Sequence, residues 1–467
     1  MYITLSVHGI VDKRRLENIC YSDYMNALPL FKDYEEEKVH TNEFSEWGTF
    51  KDSLKAPVHG WFTYPAGFSY KAVEHTLKLA DLNYGDTVYD PFMGSGTTNV
   101  VAKSMGINSI GVEAHPFVYC ITKSKMEWDI TLQHVGSELD VIQKQLSINK
   151  YTQKMDEILK VEFPELILKC FLPETLYELW IIRNTIAMLK CNDNIKSFLR
   201  TALICTLREV SIAATGWPYI APKKIKVSSM IKKGWKTYIS RVYKMLGDLS
   251  NIKKNTTPST HRLYCGDSRD TTKYIDSEIA SYIFTSPPYL NNFDYADRTR
   301  LEMYFMGEAD NWHDISDKIR TKLMTSATTQ ISRSDPRYEF SINFIRDCKE
   351  VYDFLANSII QLSELRKVKG GKKSYDLMTI GYFNDIYQIL KDNYRILKYG
   401  SSASYVLGDS APYGIHIPTD ELIGKIGVSI GFKDYKIKIL RLRGGKWAAN
   451  PQRHNVALRE SLVILTK

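Results

Sequence analysis

No stretch of this 467-residue chain approaches 18 uninterrupted apolar residues, and its opening, Met1-Tyr2-Ile3-Thr4-Leu5, has no basic patch followed by a long apolar run. That pattern leaves no spanning helix and no secretory leader, and it predicts a soluble cytoplasmic protein with no membrane partner. Cysteine is scarce and scattered. Cys20, Cys120, Cys170, Cys191, Cys205, Cys265 and Cys348 form no Cys-x-x-Cys pair and have no histidine at ligand spacing. No metal site and no disulfide are expected, and the odd count suits free thiols in a reducing compartment. Internal repeats and low-complexity tracts are missing as well.

What remains is an ordinary globular composition, 44% hydrophobic and 25% charged, with 62 Lys and Arg against 53 Asp and Glu and a net charge of +9. The small cationic excess favours polyanion partners only weakly, so distribution matters more than the sum. The length suggests two to three domains, or one domain carrying large insertions.

Two motifs carry chemistry. The first runs Asp86-Thr87-Val88-Tyr89-Asp90-Pro91-Phe92-Met93-Gly94-Ser95-Gly96-Thr97-Thr98. A strand ends at Asp90, two glycines let the backbone turn and approach a ligand closely, and a helix begins. A second strand, Ile107 to Glu113, ends in an acid 23 residues after Asp90. An acid at that tip accepts the hydroxyl hydrogens of a ribose diol. The third glycine of the dinucleotide fingerprint is missing, and a carboxylate at Asp90 repels pyrophosphate but suits an ammonium group. A cofactor with ribose, adenine and an α-amino group is S-adenosylmethionine.

The second motif, Phe284-Thr285-Ser286-Pro287-Pro288-Tyr289, follows the β-prone run Ser281-Tyr282-Ile283. Two prolines without amide hydrogens stop the strand and make a stiff turn with bare carbonyls, which sits naturally at the carboxyl end of a parallel strand. Ser286 offers a hydroxyl, Pro287 a carbonyl, and Tyr289 a flat face for a planar ring.

Together the two motifs resemble motifs I and IV of the amino-group DNA methyltransferases, which methylate cytosine N4 or adenine N6. The resemblance implies an α/β fold: a Rossmann-like class I methyltransferase sheet with a large, mainly helical insert. It implies S-adenosylmethionine beside Asp90, Phe92, Gly94, Gly96 and Thr97, with Glu113 on the ribose. His261 to Ser268 is similar to the family's next strand, which places the acid Asp267 near the adenine. Ser286, Pro287, Pro288 and Tyr289 become the catalytic turn. The implied partners are double-stranded DNA with a flipped target base and, in a restriction-modification system, a companion restriction endonuclease.

Four segments follow: an N-terminal extension (1–58), the cofactor half of the catalytic domain (59–130), a helical, basic insert (131–260), and the catalytic half (261–467) with an insertion near 306–380. Ser69 is the expected N-cap of a helix bearing Val73 and Leu77. Residues 132–189 have helical periodicity broken at Phe163-Pro164. Residues 222–254 carry ten Lys and Arg against the single acid Asp248, with Trp235, Tyr238 and Tyr243 interleaved and Trp217 just before. Such a stretch suits DNA phosphates and bases, or is a solvated helix face. A second basic stretch, 366–373, contacts phosphate or is a linker, and 325–337 is expected to be a loop that orders on DNA. Beyond it the sequence predicts a helix over 383–397 closed by Gly400, a strand over 402–407, a helix over 419–430, and paired strands at 435–442 and 461–466. The donor-rich connection from Arg443 to Asn455 is placed near the substrate.

An aromatic exocyclic amine is a poor nucleophile because its lone pair is delocalised into the ring. Ser286 and the Pro287 carbonyl, accepting the two amine hydrogens, free that lone pair for in-line attack on the methyl sulfonium. No Pro-Cys motif is present and none is needed. The base must be flipped out of the duplex and stacked, with Tyr289 as the surface. Ser before Pro-Pro favours cytosine N4. Adenine N6 is the alternative, and an RNA-modifying enzyme or an inactive nucleic-acid-binding module is the further one.

Overall fold

A computed structural model describes residues 47–64, 67–214, 220–229, 232–252, 257–291, 294–331, 338–369, 373–443 and 456–467. Most of the N-terminal extension, Trp217, Lys253, Lys254 and the 444–455 connection lie outside the described residues. Seven strands form one sheet: β1 (Thr87–Asp90), β2 (Asn108–Glu113), β3 (His261–Cys265), β4 (Ala280–Thr285), β5 (Leu397–Gly408), β6 (Asp434–Arg443) and β7 (Leu458–Thr466). Their spatial order is β3-β2-β1-β4-β5-β7-β6. The first five run parallel, and β7 inserts antiparallel to both β5 and β6. This mostly parallel sheet clad in helices is the Rossmann-like methyltransferase fold.

The sequence accounts for the layering. Central β4 is buried along its whole length, as a strand covered on both faces must be, and reads as an apolar run with small polar residues only at Ser281 and Thr285. Edge strand β6 is only half-buried and carries Lys436, Lys438 and Arg441, charges that discourage pairing with another chain. Helix Tyr70–Leu79 starts where Ser69 accepts the Lys71 N–H at 3.2 Å, and it buries Ala72, Val73, Thr76 and Leu77.

Chain order reverses between β1 and β4, so their adjacent carboxyl ends flank the crevice where open α/β sheets hold ligands. Those ends are the two motifs.

The expected insert is helical, with Leu132–Ile148, Met155–Glu162, Glu165–Cys170, Pro173–Met188, Asp193–Val210 and Gly234–Ile252, and it breaks at Phe163-Pro164 as anticipated. Its apolar interior is continuous with Trp61 and Phe117 on one side and with Leu301 and Phe305 on the other. Within 306–380, helix Lys349–Val368 buries Val351, Leu355 and Leu362 in the same core as helix Tyr375–Ile396.

Two boundaries differ, the first being that the strand expected over 402–407 is β5, Leu397–Gly408. The helix expected over 383–397 spans Tyr375–Ile396, and Gly400 does not cap it. The last carbonyls, of Arg395 and Ile396, accept the N–H groups of Glu278 and Ile279 at 3.0 and 2.9 Å, and the chain passes straight into β5. Gly400 sits inside β5 at φ 76°, its N–H donated to the Lys467 carbonyl.

Candidate functional site

The loop after β1 is held by acids rather than by prolines or caps. Asp90 is fully buried, and its Oδ1 accepts the Phe92 N–H at 3.0 Å and the Thr285 hydroxyl at 2.6 Å. Burial pushes its pKa up to about 6 against the pull of those bonds, while among the described residues Oδ2 has no hydrogen-bond partner. Glu113, at the tip of β2, accepts the Gly94 N–H on Oε2 and the His115 N–H on Oε1, both at 2.8 Å. Burial raises its pKa to about 7. Each oxygen keeps a second lone pair, so Glu113 braces the turn and can still accept ligand hydroxyls.

Gly96 completes the turn at φ 81°, and a Cβ there would meet Thr122 Cγ2 at 2.5 Å. Among the described residues no side chain caps the helix Thr97–Met105 that starts beside it, so its first N–H groups are left for a ligand.

A cleft opens over these elements, with about 860 Å³ of empty space when its open mouth is included. Phe92, Gly94, Thr97, Glu113, Asp267, Ser286 and Pro288 all line it, so one cleft gathers residues of both motifs. Asp90, Gly96, Pro287 and Tyr289 are not on its wall. Asp267 is half-exposed and holds Arg269 at 2.6 Å, and the same guanidinium reaches Asp385 at 2.9 Å.

Ser286 Oγ donates to the Val406 carbonyl at 2.9 Å. A carbonyl only accepts, so the hydroxyl hydrogen is given to β5, and Ser286, which lines the cleft, keeps its oxygen as an acceptor.

Tyr289 corrects one expectation, since its ring offers no open face. It is buried, its hydroxyl donates to Glu460 Oε1 at 2.8 Å, and the Arg443 guanidinium lies over the ring at 5.3 Å. Gly408 makes this possible, because a Cβ there would run into Arg443 Nη1 and touch the Tyr289 ring.

Tyr64 and Lys322 are among the cleft residues given no role from sequence, and Tyr295 was read only as part of the loop that continues the catalytic turn. Tyr64 and Tyr295 pack with ring centroids 5.8 Å apart. The aromatic run around Tyr64 was the one signal in the sequence, and it carried no spacing that points to a cleft.

The basic insert is less free than its composition. Lys232 and Arg241 both pair with Glu209 at 2.8 Å, and Lys233 with Glu174 at 3.2 Å. Tyr238 is wholly buried against the bundle and cannot stack on a base, which corrects the interleaving expected of it. Lys223 and Lys224 are exposed on the strand Ala221–Ile225, and Lys236, Tyr243 and Lys244 are exposed on helix Gly234–Ile252. Thr325, expected in a loop that orders on DNA, is buried, its N–H donated to Asp385 Oδ2 at 2.8 Å; residues 332–337 lie outside the described residues.

Comparison with known proteins agrees with the geometry. A family model described as DNA methylase (N6_N4_Mtase) matches residues 18–124. The chain is 25% identical over 493 residues to the type II methyltransferase M.BsoBI of Geobacillus stearothermophilus, covering 96% of this chain and 94% of that protein. It is 24% identical over 427 residues to the type II methyltransferase M.AvaI of Nostoc sp., covering 86% and 85%. It is also 31% identical over 169 residues to the type II methyltransferase M.MjaII of Methanocaldococcus jannaschii, covering 33% and 32%. With both motifs on one cleft at the switch point of this sheet, the chain belongs to the amino-group DNA methyltransferases, the N4-cytosine and N6-adenine family.

Proposed function

We propose that this protein is a site-specific DNA methyltransferase acting on the exocyclic N4 of cytosine within a restriction-modification system. The type II methyltransferase names of its relatives support that setting and, with it, a companion restriction endonuclease.

The cleft suits S-adenosylmethionine. It has an acid at the tip of β2, a second acid at Asp267, and a tight glycine turn at an uncapped helix start. Glu113 would take the ribose hydroxyls, Asp267 would lie by the adenine, and Phe92, Gly94, Gly96 and Thr97 would form the turn around the amino-acid half. When bound, the cofactor supplies an electrophilic methyl group. Asp90, like Gly96, lies off the cleft wall. Its carboxylate acts from behind the wall by fixing Phe92 and Thr285.

The observation that carries the activity is the Ser286 hydroxyl bound to the Val406 carbonyl on the same cleft as Glu113. With its hydrogen engaged, Ser286 is an acceptor, and it takes one amine hydrogen of the target base without placing a charge near the methyl donor. The Pro287 carbonyl, in the turn between the wall residues Ser286 and Pro288, would take the other, and Pro288 keeps the turn stiff. The amine lone pair is then freed for in-line attack, and positioning is the main catalytic contribution. Double-stranded DNA is the substrate, with the target base flipped out of the stack.

Methyl transfer from labelled S-adenosylmethionine to duplex DNA and to RNA, run side by side, tests the substrate. Label in DNA alone is expected. Label in RNA alone would overturn the proposal.

A further inference from the structure

Two side chains one turn apart on helix Pro116–Lys125 grip the glycine turn from behind. Thr122 Oγ1 donates to the Gly94 carbonyl at 2.6 Å, and Lys125 Nζ donates to the Ser95 carbonyl at 2.6 Å and the His59 carbonyl at 3.4 Å. The Lys125 side chain is wholly buried, and among the described residues no carboxylate pairs with it. The titratable groups facing it, His59 and Cys205, supply no counter-charge: burial lowers the first and raises the second. A buried lysine with only carbonyl partners is costly, and simple packing would have been met by an apolar residue.

The turn explains it. The Gly94 N–H is held by Glu113, the Gly94 carbonyl by Thr122, the Ser95 carbonyl by Lys125, and the Gly96 N–H by the Met93 carbonyl at 2.8 Å. Peptide planes are rigid, so a Gly94 carbonyl drawn toward the helix turns the Ser95 N–H the opposite way, toward the cleft that Ser95 and Thr97 line. We infer that Lys125 and Thr122 are positioning residues that preset the turn, aiming the Ser95 N–H at the carboxylate of the cofactor's amino-acid half. Charge on Lys125 adds to the field of the uncapped helix start behind that anion. Burial brings the ammonium down to about 7, and it donates the same bonds as ammonium or amine.

This rests on the proposed cofactor, and the full-length protein tests it with S-adenosylmethionine by calorimetry and with hydrogen exchange at residues 94–97. Lys125→Met and Thr122→Val should each weaken binding about tenfold or more and speed exchange at the turn. The single-turnover rate at saturating cofactor should change little, because the effect lies in binding. Lys125→Gln, which keeps a donor without charge, should recover most of the affinity, and it replaces the methionine variant if that one does not fold. Wild-type affinity and exchange in folded Lys125→Met or Thr122→Val would overturn the inference. So would a folded Lys125→Gln that binds tenfold weaker than wild type with accelerated exchange. Failure of the wild-type protein to bind S-adenosylmethionine would instead overturn the proposed function.

Discussion

The Thr285 hydroxyl donates to Asp90 Oδ1 at 2.6 Å, a bond buried between the carboxyl ends of β4 and β1 that ties the Ser286–Tyr289 turn to the glycine loop. Because Asp90 is already short of partners on Oδ2, it has little to replace that donor with. Thr285→Val keeps the shape and removes the bond. It should lower stability by about 1 to 3 kcal/mol in a denaturant titration and weaken cofactor binding as well. An unchanged midpoint would mean that the two loops are held independently.

Burial sets the pH response. Asp90 and Glu113 have pKa values raised to about 6 and about 7 from ordinary values of 3.8 and 4.5. The folded state thus binds protons more tightly, and their contribution to stability is fully present below the ordinary values and lost as pH rises to about 7. Binding a ribose to ionised Glu113 reverses this preference. Cofactor affinity should fall below about pH 7, and binding near pH 6 should release protons, seen as calorimetric heats that differ between buffers. Equal heats across buffers would show that Glu113 is not the ribose acceptor.

DNA binding should follow the free cations rather than the sequence density of lysine. Lys223 and Lys224 are exposed, whereas Lys232 and Lys233 are ion-paired. Neutralising the first pair should flatten the slope of log affinity against log salt by about 0.9 for each phosphate left without its cation, and neutralising the second pair should change it less. The opposite ranking would move the DNA interface to the helix face.

Ser286→Ala removes an acceptor needed in the transition state and leaves the cofactor wall otherwise intact. Single-turnover methylation should fall about a hundredfold or more, equivalent to roughly 2 to 4 kcal/mol, with cofactor affinity nearly unchanged. A rate within a few-fold of wild type would return Ser286 to a structural role on β5.

The sheet was legible because its signals are local. A strand run, a stop at Asp90 or Pro287, and an acid at Glu113 are each written in a few adjacent residues. The helix Thr419–Ile430 and the strands after it follow from short-range pattern in the same way. What escaped depends on distant partners. Tyr289 reads as an open stacking face until Arg443 and Glu460, far along the chain, close over it. Tyr238 reads as a DNA-facing aromatic until helix Asp193–Val210 buries it, with its hydroxyl on the Leu199 carbonyl. Helix Tyr375–Ile396 was started eight residues late, at Phe383, and Gly400 was taken for its cap, whereas Glu278 and Ile279 satisfy its last carbonyls.

The identity of the methylated base is the sharpest test of the proposed chemistry. Duplex DNA methylated by the purified protein is digested to nucleosides, which are separated and weighed by mass spectrometry. N4-methylcytosine is expected, because Ser286, with its hydrogen given to Val406, is a neutral acceptor beside the Pro287 carbonyl. N6-methyladenine as the only product would contradict it.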